Sequence, residues 1–249
     1  MKIFGKIDIT FDKPAASKNK LAVIMPGRLD SKDYEHLVAL SNELGAIGYD
    51  TLRFNPTGTW GSSGQISDYC VSQYLKDTDS VIDWANSSNK RKYDDVVLLG
   101  HSLGGQVAMV YAATHRNISG VVAIMSPANM EGELDVSAWK SQGVKISKCD
   151  LPGNPDLFRL YKIPFSFHQD RLKYDANRDI AKFARPLLLI AGEDDKIITP
   201  EIVQATYEAA NEPKMISIIS GAGHDYRKYP QKIREVNQVI VDFLLEQIS

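Results

Sequence analysis

Cysteine is scarce here, with Cys70 and Cys149 the only two in 249 residues. One pair in a chain of this length is no disulfide framework, and both residues read as small apolar fillers. Long hydrophobic runs are missing too. The most apolar pieces, VVLLG and PLLLIAG, are of strand length, far short of the roughly 18 to 20 residues that a membrane-spanning helix needs. Nor does charge of one sign dominate: 29 Lys and Arg against 31 Asp and Glu leave a formal net charge of -2. That balance excludes a global attraction to nucleic acid or to an anionic membrane, while leaving room for a local patch. The opening MKIFGKIDITFDKP carries polar or charged residues at positions 2, 6 and 8, so it lacks the unbroken apolar stretch of a secretory signal and a cytoplasmic location is expected. Internal repeats and low-complexity tracts are absent as well.

What is present has an ordinary globular balance, 43% hydrophobic and 24% charged, neither disordered nor fibrous. The length suits one large domain, or one domain with a modest insertion. Short β-rich runs alternate with amphipathic stretches: LAVIM at 21–25, TLRF at 51–54, VVLL at 96–99, VVAIM at 121–125, LLLI at 187–190 and ISII at 216–219. Helical periodicity fills the intervals 33–47, 68–86, 103–115, 200–210 and 231–248, with Pro200 and Pro230 where helix starts belong. The alternation predicts a parallel sheet. Several strands are apolar on both faces, so helices should cover both sides, making an α/β fold with a doubly wound sheet. The segment KIFGKIDITF alternates like a strand and suits an antiparallel edge.

One interval breaks the rhythm. About 60 residues separate the strands ending near Ser126 and beginning after Arg185, where a βα connection needs far fewer. The division expected is a core of 1–127 and 183–249 and a cap of 128–182. The extra segment carries Trp139 and an aromatic group of Phe158, Tyr161, Phe165, Phe167 and Tyr174. It leaves the carboxyl end of a strand, where open α/β sheets bind ligands, so a cap over an apolar acyl or aryl pocket is expected.

Strand VVLLG runs into GHSLGG and then into a helix, the strand, sharp turn and helix that a G-x-S-x-G nucleophile requires. Ser102 is the candidate nucleophile, set at the carboxyl edge of the sheet with the amides of the next helix pointing at the same place. His101 reads as a packing and hydrogen-bonding residue. A serine hydroxyl needs a base. Of the five histidines, only His224 follows the last predicted strand, in the glycine-rich loop GAGHDY. Its orienting acid should follow LLLIAG, where Glu193, Asp194 and Asp195 all qualify by spacing. Nucleophile, acid and histidine then run in the chain order of α/β-hydrolases. Histidines and cysteines are too scattered to suggest a structural zinc site, and this chemistry requires neither metal nor organic cofactor.

Taken together, VIMPGRLDSKDYEHLVALSNELGAIGYDTLRF, NPTGTWGSSG, GHSLGG, PLLLIAGEDDKIITPE and GAGHDY resemble the α/β-hydrolase superfamily, particularly small capped carboxylesterases of cinnamoyl and feruloyl esterase type. The resemblance covers nearly everything but the insertion. It implies Asp195 as the acid, three residues after the strand-ending glycine, and backbone amides of Arg28 and Leu103 as the oxyanion hole. Pro26 stands where the family has histidine, and Asn55 and Thr57 replace a frequent aspartate and arginine in the loop outside the elbow. The implied activity is hydrolysis of carboxylic esters with small or medium apolar acyl or aryl groups, with a small-molecule acyl substrate and neither nucleic acid nor membrane as partner. Arg28, Trp139 and Phe165 are the candidates for substrate contact, Arg28 through an anionic or polar group. A thioesterase, an amidase or peptidase, and a non-catalytic binding protein on the same fold are the rival readings.

Overall fold

A computed structural model describes residues 1–88, 92–129 and 135–248. Ten strands and eight α-helices are assigned among them. The main sheet draws on β1 (Lys2–Ile3), β2 (Ile7–Asp12), β3 (Lys20–Met25), β4 (Tyr49–Asn55), β5 (Asp95–His101), β6 (Gly120–Ile124), β9 (Leu187–Gly192) and β10 (Lys214–Ile219). Their spatial order is β1-β2-β4-β3-β5-β6-β9-β10. β1 and β2 pair antiparallel, as do β2 and β4, and every pair from β4 to β10 is parallel. The opening segment thus forms the expected antiparallel edge, but as two strands. Phe4 and Gly5 both take positive φ (49° and 65°) and turn the chain back between them.

Why the strands lack in/out alternation is visible in where consecutive side chains go. In β3, Leu21, Val23 and Met25 belong to one apolar layer and Ala22 and Ile24 to the other. The same split runs through β5, β6 and β9. Helices α1 (Glu35–Ala46) and α8 (Pro230–Gln247) cover one face, and α2 (Val71–Ser88), α3 (Leu103–Ala112) and α7 (Pro200–Ala209) the other. Each strand therefore alternates between two dry layers rather than between core and water. Pro200 and Pro230 open α7 and α8, positions where the missing N–H costs nothing.

Between β6 and β9 the chain forms α4 (Val136–Gln142), an antiparallel hairpin of β7 (Val144–Leu151) and β8 (Asn154–Pro164), then α5 (Phe165–Arg171) and α6 (Ala176–Ile180). Residues 130–134 of the expected 128–182 segment lie outside the described residues. This segment is tied to the core at several points. The Tyr161 hydroxyl accepts from the Trp60 amide at 2.8 Å, the Tyr34 hydroxyl donates to the Asp150 carbonyl at 2.8 Å, and Asp170 accepts from both the amide and the hydroxyl of Ser72. Its aromatic residues do not form one cluster. Tyr161 and Phe167 are buried, whereas Phe158 is exposed beneath the Lys148 ammonium. α6 packs on the outer side of α3, which explains why all ten residues of α3 are buried. Among the described residues no helix is long and apolar enough to cross a membrane.

Candidate active site

The turn from β5 into α3 is held tight by sterics. Ser102 sits at φ 51°, ψ -120°, a region costly for a residue with a Cβ. Two glycines make the turn feasible: a Cβ on Gly100 would run into the Gly104 backbone, and one on Gly104 into the Met25 carbonyl. The Ser102 amide bonds to the Ile124 carbonyl at 2.9 Å, so the strained residue is pinned to the neighbouring strand. Its hydroxyl faces the sheet's carboxyl edge, where α3 begins at Leu103.

Three segments far apart in sequence meet there. His224 Nε2 lies 3.1 Å from Ser102 Oγ, and His224 Nδ1 lies 2.8 Å from Asp195 Oδ2. Asp195 is 1% exposed, and its other oxygen accepts the amides of Ile197 and Ile198 at 2.8 and 2.9 Å. Burial works to raise its pKa, but the hydrogen bond and charge of His224 and the two amides outweigh it, holding the carboxyl below its usual range. Of the three candidate acids only Asp195 is buried. Glu193 faces solvent and bonds Ser220 and Gly221, and Asp194 is exposed. An imidazole so oriented can take a proton from the serine hydroxyl.

Arg28 follows β3 in a loop fixed by its neighbours. Tyr74 donates to the Pro26 carbonyl at 2.9 Å, the Leu29 amide donates to Tyr69 at 3.3 Å, and Asp30 N–H returns to Gly27 at 3.1 Å. Arg28 and Leu103 both line the cavity in front of Ser102, a space of about 230 Å³. That is smaller than the usual range for a drug-sized ligand. Trp139 and Phe165 are not among its lining residues. Trp139 is 2% exposed, gives its indole N–H to the Ile163 carbonyl at 3.0 Å and packs on Phe165, Phe167 and His168. These aromatics are the insertion's own core. The wall of the cavity is also less apolar than expected. Leu103, Pro127, Ile197 and Ile198 share it with Arg28, Arg171, Arg227, Asp30 and Asp225.

Sequence reasoning missed Asp30, Arg171 and Arg227. Asp30 Oδ2 lies 3.2 Å from His101 Nδ1, so His101 has the hydrogen-bonding role expected of it. Burial pushes the Asp30 pKa up, but the bond to His101 and the nearby cations prevail and hold it low. The His101 ring stands 5.1 Å from that of His224 and 5.2 Å from that of His36. Asp30, His36 and His101 bring ligand-type atoms within 4.8 Å of one another, the one such group among the described residues. Scattered in sequence, these residues are gathered by the fold; we read the Asp30–His101 bond as a brace between the loop after β3 and the elbow. Arg227 forms a two-bond pair with Asp150 at 2.7 and 2.8 Å, joining the loop of His224 to the hairpin.

Residues 22–143 match the family model described as alpha/beta hydrolase fold. The chain is 25% identical over 193 residues to the mitochondrial palmitoyl-protein thioesterase ABHD10 of Rattus norvegicus, covering 75% of this chain and 62% of that one. It is 26% identical over 254 residues to the lysophosphatidylserine lipase ABHD12 of Macaca fascicularis, covering 96% and 59%. It therefore spans about three fifths of the length of these relatives. Among solved structures it resembles the ferulic acid complex of Est1E from Butyrivibrio proteoclasticus, with TM-score 0.76, 22% identity and coverage of 97% and 95%. A monoacylglycerol lipase from Paleococcus ferrophilus gives TM-score 0.76, 22% identity and coverage of 96% and 99%.

Proposed function

We propose that this chain, an α/β-hydrolase by fold and by its relatives, is a serine hydrolase that cleaves carboxylic esters through an acyl-enzyme. The observation that carries the reading is the line of hydrogen bonds from Ser102 through His224 to Asp195. Ser102 Oγ attacks the acyl carbonyl while His224 Nε2 takes its proton, and Asp195 stabilises the imidazolium that forms. The carbonyl oxygen, now negative, faces the amides of Leu103 and Arg28 at the start of α3 and in the loop after β3. Return of the proton to the leaving alcohol breaks the ester bond. A water then repeats the sequence on the acyl group, restoring the serine.

Segment 128–182 acts as the cap. In support, Asn129 and Arg171 line the cavity, and Asp150 of the hairpin holds Arg227 on its rim. Thioester cleavage is the second reading, favoured by the similarity to a protein named palmitoyl-protein thioesterase, since one such set of residues serves either acyl group and the pocket decides.

The test is covalent. A fluorophosphonate probe should label Ser102, and Ser102→Ala should abolish labelling and lower turnover of p-nitrophenyl esters on the order of 10⁴-fold. Near-normal turnover by that variant would refute the assignment. A parallel series of acyl-CoA thioesters separates the two readings.

A further inference from the structure

Arg227 lines two recesses at once. It borders the cavity in front of Ser102, a space of about 230 Å³, and also a cleft of about 570 Å³. That cleft lies between the chain at the start of α1 and the tip of the β7–β8 hairpin, with Tyr34, Asp150, Leu151, Pro152 and Pro155 among its lining. Among the described residues no other side chain is shared by the two linings.

The contacts of Arg227 fix it between them. Its two terminal nitrogens donate to the two oxygens of Asp150 at 2.8 and 2.7 Å. On the Ser102 side its Nε lies 3.7 Å from an oxygen of Asp225. The guanidinium stands 4.4 Å from the centroid of the Tyr34 ring, and the Tyr34 hydroxyl donates to the Asp150 carbonyl at 2.8 Å. The side chains of Arg227 and Asp150 are 13% and 23% exposed, so salt and water screen the pair little. Two parallel bonds to one carboxylate also hold the guanidinium plane in a single orientation.

Acyl transfer needs the scissile carbonyl at Ser102 Oγ. A group attached to that carbonyl and longer than the front cavity has to leave it, and toward the hairpin the way is barred by Arg227. We propose, resting on the serine-hydrolase reading, that Arg227 is a specificity-determining residue: clamped by Asp150, it closes a side opening from Ser102 into the cleft and restricts the ester to a short group on that side. Without the guanidinium the two spaces join, and a longer apolar chain can run on over Leu151, Pro152, Pro155 and the Tyr34 ring.

Two ester series test this. p-Nitrophenyl esters from acetate to decanoate vary the acyl side, and acetates of straight-chain primary alcohols, followed by acid release, vary the alcohol side. In the series that faces Arg227, kcat/KM of the wild type should gain nothing beyond a few carbons. Arg227→Ala should move that cut-off upward and raise kcat/KM for the eight-carbon member relative to the two-carbon member by tenfold or more, since each methylene that finds a buried place contributes about fourfold. Arg227→Met, which keeps most of the bulk without the ion pair, should fall between. A cut-off unmoved in both series, with all lengths slowed by one factor, would overturn the proposal and leave Arg227 a structural role. So would a wild type that takes long chains as well as short ones in both series. Because Arg227→Ala leaves the Asp150 carboxylate without its partner, the double variant Arg227→Ala/Asp150→Asn runs beside it, with the same shift expected. If neither variant folds by thermal melt, alkyl fluorophosphonates of increasing length read the wild type alone: reaction at Ser102 should slow beyond a few carbons, and undiminished reaction of the long members overturns the proposal. Failure of the serine-hydrolase reading looks different: the wild type turns over no ester of either series, and Ser102 takes no fluorophosphonate of any length.

Discussion

Acid should turn His36 against the fold. This residue of α1 is 1% exposed, and neither ring nitrogen has a hydrogen-bond partner among the described residues. The rings of His101 and Tyr226 pack on it with centroids 5.2 and 5.4 Å away, and Asp30 and Arg227 supply the nearby charge. Burial, with His101 and Arg227 adding to it and Asp30 opposing, pushes its pKa from an ordinary 6.5 down to about 3. Between those values the unfolded chain binds a proton that the native state refuses. Stability is therefore whole above pH 6.5 and declines as pH falls toward 3. At roughly 1.36 kcal/mol per unit, pH 5 lies about 1.5 units into that window, so His36 costs about 2 kcal/mol there relative to neutral pH. His36→Phe removes the titration and keeps a ring in the space. Urea unfolding of both proteins at pH 7 and pH 5 isolates the effect, because every other titrating group is common to both. The free-energy gap between them should move by about 2 kcal/mol in the variant's favour on going to pH 5. A gap that stays constant would refute the argument, whatever its size at pH 7.

Asp195→Asn should leave the position of His224 nearly intact but favour the wrong tautomer, lowering kcat for ester hydrolysis on the order of 10⁴-fold. A loss under tenfold would remove Asp195 from the proposed mechanism. At Asp150, the hydrogen bond from Arg227 holds the carboxyl below its ordinary range against partial burial, so its contribution to stability is present above about pH 4 and lost as pH falls further. Asp150→Asn should lower Tm at pH 7, with the difference closing in acid. An equal difference at pH 7 and pH 3 would show that the charge is not what ties the hairpin to the loop of His224.

The core was legible because each of its elements is coded locally. LAVIM and LLLI are dry on both faces, and only a sheet covered on both sides gives such strands a place; Pro200 and Pro230 mark helix starts that need no tertiary knowledge. The edge was legible only in part. Alternation in KIFGKIDITF suggests one strand, and the turn at Phe4 and Gly5 depends on a non-glycine residue accepting positive φ, which a periodic pattern does not reveal. The insertion was least legible. Its hairpin pairs Val144 with Pro164 and Lys145 with Ile163, contacts about twenty residues apart that no short motif announces.

The same contrast runs through the site. Ser102 and His224 could be read because strand ends and glycine-rich loops mark them in sequence, whereas the acid stood among three adjacent carboxylates with nothing local to choose. The choice is made by loop winding. The Asp194 amide bonds across to Ala222 and the Asp195 amide turns back to Gly192, so the third carboxylate, and not the second, is turned inward under His224. Arg171 shows the opposite failure. As a sequence feature it is an arginine at the end of a short helix in an unpatterned insertion, and its value depends on α5 and α6 docking so that Gln106 can grip it. A side chain supplied by an insertion is thus invisible until the insertion is seated, which is why Ser102 and His224 were candidates from sequence and Arg171 on the wall of their cavity was not.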